Sequence, residues 1–288
     1  MHNPLINRTV LMSGAQYFDD TSAINPYMDD TIAVDRVKAQ VEHDSIRHAL
    51  EAAGVHVEQV APPQDCQDGV YTANWALIRG NKAVMASLPN VRQAETPYAE
   101  KVLKNLGKEI IYPPEGMRFS GQGDALPCGD LLFCGSQYRT DLEIYDFLHE
   151  TLGYEVIGLR TIPALDESGT PKTNASSGWP DSFFYDIDLA LAVLTPSLIA
   201  WCPEAFTDES QDKIHALNID KIEVSFEEAT QGFACNLVST GFTVVMSAHA
   251  PLLQAQIEAH GLKTITPEVS ELGKGGGYIR CTTLTLDN

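Results

Sequence analysis

Six cysteines are spread along the 288 residues, and one of them, Cys281, has a setting in which a thiol could act on a ligand. It follows Lys274-Gly275-Gly276-Gly277-Tyr278-Ile279-Arg280 and precedes Thr282-Thr283-Leu284-Thr285-Leu286. Successive glycines let a backbone take positive φ and pass close to a bound molecule. The β-branched, apolar run around and after Cys281 predicts a strand, so the thiol is expected where a flexible turn enters a rigid element. A cysteine there is either a nucleophile or a buried core residue, and this stretch alone leaves both open. Asp188 is a second candidate. It stands in Ile187-Asp188-Leu189-Ala190-Leu191, and a carboxylate buried in so apolar a run is costly without a partner.

Other polar clusters stand at the ends of predicted strands, where an active site would collect them. They are Asp68-Gly69-Val70-Tyr71-Thr72-Ala73-Asn74-Trp75, Phe119-Ser120-Gly121-Gln122-Gly123-Asp124, Gly135-Ser136-Gln137-Tyr138-Arg139-Thr140-Asp141, Phe184-Tyr185-Asp186 and Pro203-Glu204-Ala205-Phe206.

Bulk properties narrow the function classes. The net charge of −20 argues against a nucleic-acid partner and against an anionic membrane surface. No stretch approaches the ~18 apolar residues of a membrane span. Met1 to Thr9 lacks a long apolar run, so no secretory signal is expected. The cysteines show no CxxC spacing and lie mostly in apolar surroundings, which favours reduced thiols in the cytoplasm over disulfides or zinc. No GxGxxG or GxxxxGK[ST] follows a strand, so neither a dinucleotide nor a P-loop site is supported; no cofactor is expected.

The elements that must position these residues follow one grammar. Val10–Met12 predicts a strand. Thr31 to Ala53 predicts a helix with Val37, Val41, Ile46 and Leu50 on one face and Gly54 after it, and 55–60 a second strand. Further strands are expected at 82–88, 109–112, 131–135, 155–160, 221–225, 243–247 and 263–266. Helices are expected at 94–106, 141–152, 210–217 and 251–260, and a hairpin from 187–194 and 197–201. Strand–helix–strand thus recurs roughly every 50 to 60 residues with no repeated sequence. Pro163 to Pro180, rich in Gly, Ser, Thr and Pro, is the longest loop and a candidate lid. No linker is visible, so one domain over 1–288 is expected.

Taken in chain order, the clusters resemble the guanidino-group-modifying superfamily, the pentein or amidinotransferase fold. It includes arginine deiminases, dimethylargininases, arginine dihydrolases and amidinotransferases. Tyr71-Thr72-Ala73-Asn74 and the glycine-rich cysteine motif are most similar to the arginine dihydrolase branch. The resemblance implies an α/β fold, a five-fold pseudo-symmetric propeller of ββαβ-type modules around a central active site. It also implies Cys281 as nucleophile towards the guanidinium carbon, forming an amidino-thioether that water or another amine resolves. Such a substrate is a planar cation with several N–H donors and needs acceptors in its own plane, and a cation beside the thiol draws it towards thiolate.

On that pattern Asn74 stands where deiminases carry an aspartate, its amide oxygen accepting a guanidinium N–H; a turn-stabilising role is its plainer alternative. Asp188 is a bidentate guanidinium partner. Asp124 contacts ligand or stabilises its turn. Arg139 grips a substrate carboxylate, or else pairs internally with Asp141 or another acid. A homo-oligomer is a family-level expectation.

The pattern breaks at two linked positions. The family has histidine where this chain has Asp186, and glutamate where it has Ser120. Glu beside Asp would set two carboxylates against each other and raise one pKa, so Ser120 is expected to touch Asp186 and donate a hydrogen bond to it. Asp186 would then serve as general base or as an extra guanidinium ligand, although an ordinary aspartate, at ~3.9, is a poor proton donor at neutral pH. Of the eight histidines only His249, at a strand end, is a candidate, and a helix-start or surface role is the simpler account. The sequence therefore favours hydrolysis of arginine or a derivative through Cys281. Amidino transfer, and binding of an arginine-like molecule without turnover, are the alternatives.

Overall fold

The short strands predicted from apolar runs do form, and their pairing follows one rule. In the computed structural model, which describes residues 5–29, 31–88, 90–175 and 178–288, each of five sheets holds three strands. In the second sheet β3 (Ala76–Arg79) pairs antiparallel with β4 (Lys82–Met85), α2 (Thr96–Asn105) crosses over, and β5 (Glu109–Ile111) returns parallel to β4. The third repeats this with β6 (Ala125–Cys128), β7 (Leu131–Cys134), α3 (Ile144–Leu152) and β8 (Glu155–Gly158). The fourth uses β9 (Leu191–Thr195), β10 (Leu198–Trp201), α4 (Asp208–Ala216) and β11 (Asp220–Glu223). After α5 (Phe226–Gln231), the fifth uses β12 (Val238–Ser239), β13 (Thr243–Val245), α6 (Pro251–Ala259) and β14 (Lys263–Ile265). A parallel return needs a crossover long enough for a helix, which sets the module length.

The first sheet is completed from the far end of the chain. Its middle strand β1 (Thr9–Met12) is parallel to β2 (His56–Gln59) across α1 (Arg36–Ala52), and its antiparallel partner is β15 (Leu284–Thr285). Val10 faces Thr285 and Leu11 faces Leu284. That pairing draws the cysteine segment back among the other modules. The first strands β6, β9 and β12 pack side by side within one large core cluster that includes Leu191, Val238 and Cys281 itself. This is the five-module ββαβ propeller that the resemblance implied.

Several local expectations are corrected. α1 starts at Arg36, and its inward face carries Ala39, His43, Ile46 and Leu50. Val37 and Val41 are 78% and 63% exposed, because each sits two residues, about 200°, from an inward position. The strand expected around Cys281 shrinks to β15. Thr282 and Thr283 hydroxyls donate to the carbonyls of Ile279 and Arg280, which winds 278–283 into turns despite its β-branched composition. Ile187–Leu189 is likewise a single 3₁₀ turn, so Asp188 sits before β9 rather than inside a strand. β3, β6, β12 and α5 were not expected; each is only two to six residues long, too short for a period to show. Met1–Pro4, and residues 176–177 of the candidate lid, lie outside the described residues.

Candidate active site

Cys281 lines a narrow space of about 10 Å³ shared with Ile24, Asn25, Asp68, Tyr71, Asn74, Arg92, Arg139, Tyr185, Gly275 and Gly277. Its turn is tied in place from three modules. Tyr71 OH donates to Leu272 O at 2.5 Å, Tyr185 OH to Gly276 O at 2.7 Å, and Asn25 Nδ2 to Gly275 O at 2.9 Å. Gly277 is required here by close approach, since a Cβ would lie 2.5 Å from the Tyr71 ring and 2.9 Å from Cys281 Cβ.

The sulfur itself has two polar partners. Cys281 Sγ donates to Asp188 Oδ2 at 3.3 Å, and Asn236 Nδ2 donates to Sγ at 3.1 Å. Asn236 Oδ1 accepts from the main-chain N–H groups of Tyr278 and Cys281 at 3.2 and 3.1 Å. One side chain therefore both shapes the turn and contacts the reactive atom. Burial, and then the charge of Asp188, push the Cys281 thiol well above its ordinary value.

Asp124, Asp186 and Asp188 are all buried, and each keeps one carboxylate oxygen without a hydrogen-bond partner among the described residues. Burial and the neighbouring Asp186 push Asp188 well above the usual carboxylate range, and the same two causes raise Asp124 to about 7. Burial raises Asp68 to about 6. Crowded, desolvated carboxylates of this kind are relieved by an entering cation. A planar one with several donors suits their unpaired oxygens. Among the described residues no group of three His, Cys, Asp or Glu side chains could hold a metal ion.

Asn74 is the hub of this cluster. Its Nδ2 donates to Asp186 Oδ2 at 2.7 Å, Ser120 Oγ at 3.0 Å and Ser120 O at 2.9 Å. Its amide oxygen does accept a guanidinium N–H, that of Arg92 at 2.8 Å. The expected hydrogen bond from Ser120 to Asp186 is absent among the described residues; both instead accept from the same Asn74 amide nitrogen. Gly123 leaves room for this crossing, since a Cβ there would stand 2.4 Å from Asn74 Nδ2 and 2.6 Å from Asp186 Oδ2.

Arg139 pairs internally, with Asp186 at 3.6 Å rather than Asp141; Arg118 takes Asp141. Its guanidinium lies 3.9 Å from the Tyr185 ring centroid and donates to Ile24 O. Asp124 stands behind the cavity, accepting from Ile187 N at 3.0 Å, and so supports the turn that carries Asp186 and Asp188. His249 is exposed on a turn.

Two residues at the site escaped sequence reasoning. Asn236 carried a usable signal, a lone amide in Ala234-Cys235-Asn236-Leu237-Val238, which is costly to bury unpaired, though less so than a carboxylate. Arg92 carried none, because Val91-Arg92-Gln93-Ala94-Glu95 looks like a solvated face. It is instead buried, with Nε and Nη2 on Glu95 at 2.8 and 2.9 Å and Nη2 also donating to Tyr71 O.

A thiol held beside a carboxylate pair at the centre of a five-module propeller defines a cysteine protein of the guanidino-group-modifying class. The family described as N,N dimethylarginine dimethylhydrolase, eukaryotic, matches residues 15–287, and the chain belongs to it. The chain is similar to the N(G),N(G)-dimethylarginine dimethylaminohydrolase of Mycobacterium tuberculosis, with 32% identity over 281 residues, covering 97% of this chain and 86% of that protein. It is 27% identical to AgrE of Nostoc, a bifunctional arginine dihydrolase/ornithine cyclodeaminase, of which it spans 37%. Two crystal structures of the N-terminal domain of the arginine dihydrolase ArgZ from cyanobacteria share the fold. A mutant bound to substrate aligns with a TM-score of 0.87 at 25% identity, covering 97% of this chain and 98% of that one. A second mutant, covalently bound to a reaction intermediate, aligns with a TM-score of 0.85 at 25% identity, covering 96% of each chain.

Proposed function

We propose that this chain is a single-domain hydrolase acting on the guanidino group of arginine or an arginine derivative, with Cys281 as nucleophile. The observation that carries the proposal is the 3.3 Å contact between Cys281 Sγ and Asp188 Oδ2, with the buried carboxylates of Asp186 and Asp124 close to it. Covalent ArgZ and the naming of the family's relatives support the same chemistry.

The residues divide the work as follows. The thiol proton passes to Asp188 as sulfur attacks the guanidinium carbon, and the raised proton affinity of Asp188 suits it to hold that proton. The C–N bond to the leaving amine then breaks, the proton moves from Asp188 to the amine, and an amidino-thioether remains on Cys281. Water attacks that carbon, giving its proton to a carboxylate, and the C–S bond breaks to restore the thiol. Asp186 faces the cation with its unpaired oxygen and takes the place of the family's histidine as base for the water. Asn74 and Arg139 hold Asp186, Ser120 braces Asn74, and Asp124 holds the turn. The fit is to a small guanidino compound in the cytoplasm, by a homo-oligomer as in the family expectation. No helix among the described residues is long and apolar enough to cross a membrane.

A second reading, binding without turnover, is favoured by one observation: no histidine lines the cavity, so carboxylates alone must manage every proton. Intact-protein mass spectrometry after incubation with arginine, dimethylarginine and related guanidines separates the two. The hydrolase predicts an adduct and released amine or ammonia, both lost in Cys281→Ser. Saturable binding with neither signal across the panel would sink the hydrolase and leave a binder.

A further inference from the structure

A larger cavity, about 380 Å³, lies apart from the active cavity and shares no lining residue with it. The two meet across a single peptide link: Cys281 lines one and Arg280 the other. Its size falls in the range of small-molecule sites. Its wall is mainly aliphatic, from Leu126, Leu191, Val193 and Leu237 on the innermost strands and around them, with Leu5 and Ile6 at the mouth.

The charges in this cavity do not balance as they do elsewhere in the molecule. Arg280 is 6% exposed, yet its guanidinium donates only to neutral groups, Thr285 Oγ1 at 2.9 Å and Gln122 Oε1 at 3.0 Å. It makes no ion pair among the described residues, whereas the other buried arginines at the site do, Arg92 with Glu95 and Arg139 with Asp186. Arg79, stacked on Tyr154 and paired with the exposed Asp130, adds a second guanidinium to the lining. The lining side chain of Asp287 is already engaged by Arg8 and by the N–H of Thr9. Asp188, the carboxylate that acts most on this guanidinium, lies beyond ion-pair distance, and a buried guanidinium whose direct partners are all neutral is expensive.

We propose that this cavity is a second ligand site, for a small monocarboxylate with an apolar body. The carboxylate meets Arg280, and the body lies along Leu126, Leu191, Val193 and Leu237. A guanidinium and a carboxylate match in plane and donor spacing, and the aliphatic wall rewards a hydrocarbon chain over a polar one.

Titration calorimetry of the full chain with octanoate, octanol and octylamine tests the site. Octanoate binds one per chain, at least roughly tenfold tighter than octanol, and octylamine binds no better than octanol. Arg280→Gln weakens octanoate by roughly ten- to a hundredfold, the cost of a lost hydrogen bond to a charged group. Arg280 adjoins the nucleophile, so a variant that fails to fold is replaced by Val193→Trp. That substitution fills the cavity from β9 and abolishes octanoate binding while leaving the melting temperature and the rate of Cys281 alkylation unchanged. The proposal is overturned if octanoate binds wild type no tighter than octanol, if Val193→Trp binds it undiminished, or if arginine displaces it competitively.

Discussion

Asn236→Asp isolates what the protein does to its nucleophile. The substitution is isosteric and keeps Oδ1, which accepts from the N–H groups of Tyr278 and Cys281, so the turn retains its ties. Those two donors also fix the amide's orientation, because the other atom, 3.1 Å from Sγ, must then be the nitrogen. Aspartate converts that atom from an N–H donor into a carboxylate oxygen. A hydrogen bond to a charged group contributes about 1.5–3 kcal/mol, and each pKa unit corresponds to about 1.36 kcal/mol. Losing the donor therefore raises the thiol further, and the new carboxylate acts in the same direction. Below the thiol's pKa this means roughly ten- to a hundredfold less thiolate. The assay is the rate of iodoacetamide labelling at Cys281, read by peptide mass mapping because the other five cysteines are also free, with thermal unfolding on the same samples. A variant that melts like wild type and labels as fast or faster would refute the argument that Asn236 stabilises the thiolate.

Three further outcomes follow from the same network. Arg92→Met leaves Glu95, 1% exposed beside an arginine 2% exposed, without its counter-charge, and should cost about 3–5 kcal/mol in a denaturant titration; a loss below about 1 kcal/mol would contradict the packing described. Asp124 binds its proton more tightly folded than unfolded. Its stabilising contribution is therefore full below its ordinary value of 3.8 and is lost as pH rises through about 7. The melting temperature of Asp124→Asn relative to wild type should accordingly rise across that window, and a pH-independent difference would refute the assignment. Gly123→Ala drives a methyl into Asn74 and Asp186, a displacement on the scale that costs roughly a hundredfold in turnover. Measured kcat/KM should fall by that order while the melting temperature changes little, and unchanged kcat/KM would mean that the Asn74–Asp186 contact is not part of the machinery.

Much of this architecture is legible from local chemistry. The alternation of apolar runs with helical periods, punctuated by Gly54, Gly107 and Gly153, marks where strand, helix and strand recur, because periodicity and caps act over a few residues. The order of Asn74, Asp124, Asp186, Asp188 and Cys281 along the chain likewise points to guanidino chemistry before any coordinates. Local pattern misleads where two signals compete. Val37 and Val41 form an apolar stripe that faces water, and Thr282 and Thr283 are β-formers whose hydroxyls close turns instead.

What the chain alone determined, then, is the set of modules and the residue types available to a cationic ligand. Tertiary structure decided their partners. Asp188 reaches Cys281 across 93 residues of sequence and Asn236 across 45, contacts made where the cysteine turn packs against the fourth and fifth modules. The same folding gives Asn74 to Arg92, turns Arg139 onto Asp186, and leaves Arg280 with only neutral hydrogen-bond partners on the far side of the nucleophile's peptide. Burial then sets the proton affinities of Asp124, Asp188 and Cys281. Desolvation and charge proximity are properties of the packed molecule, and no one-dimensional pattern encodes them.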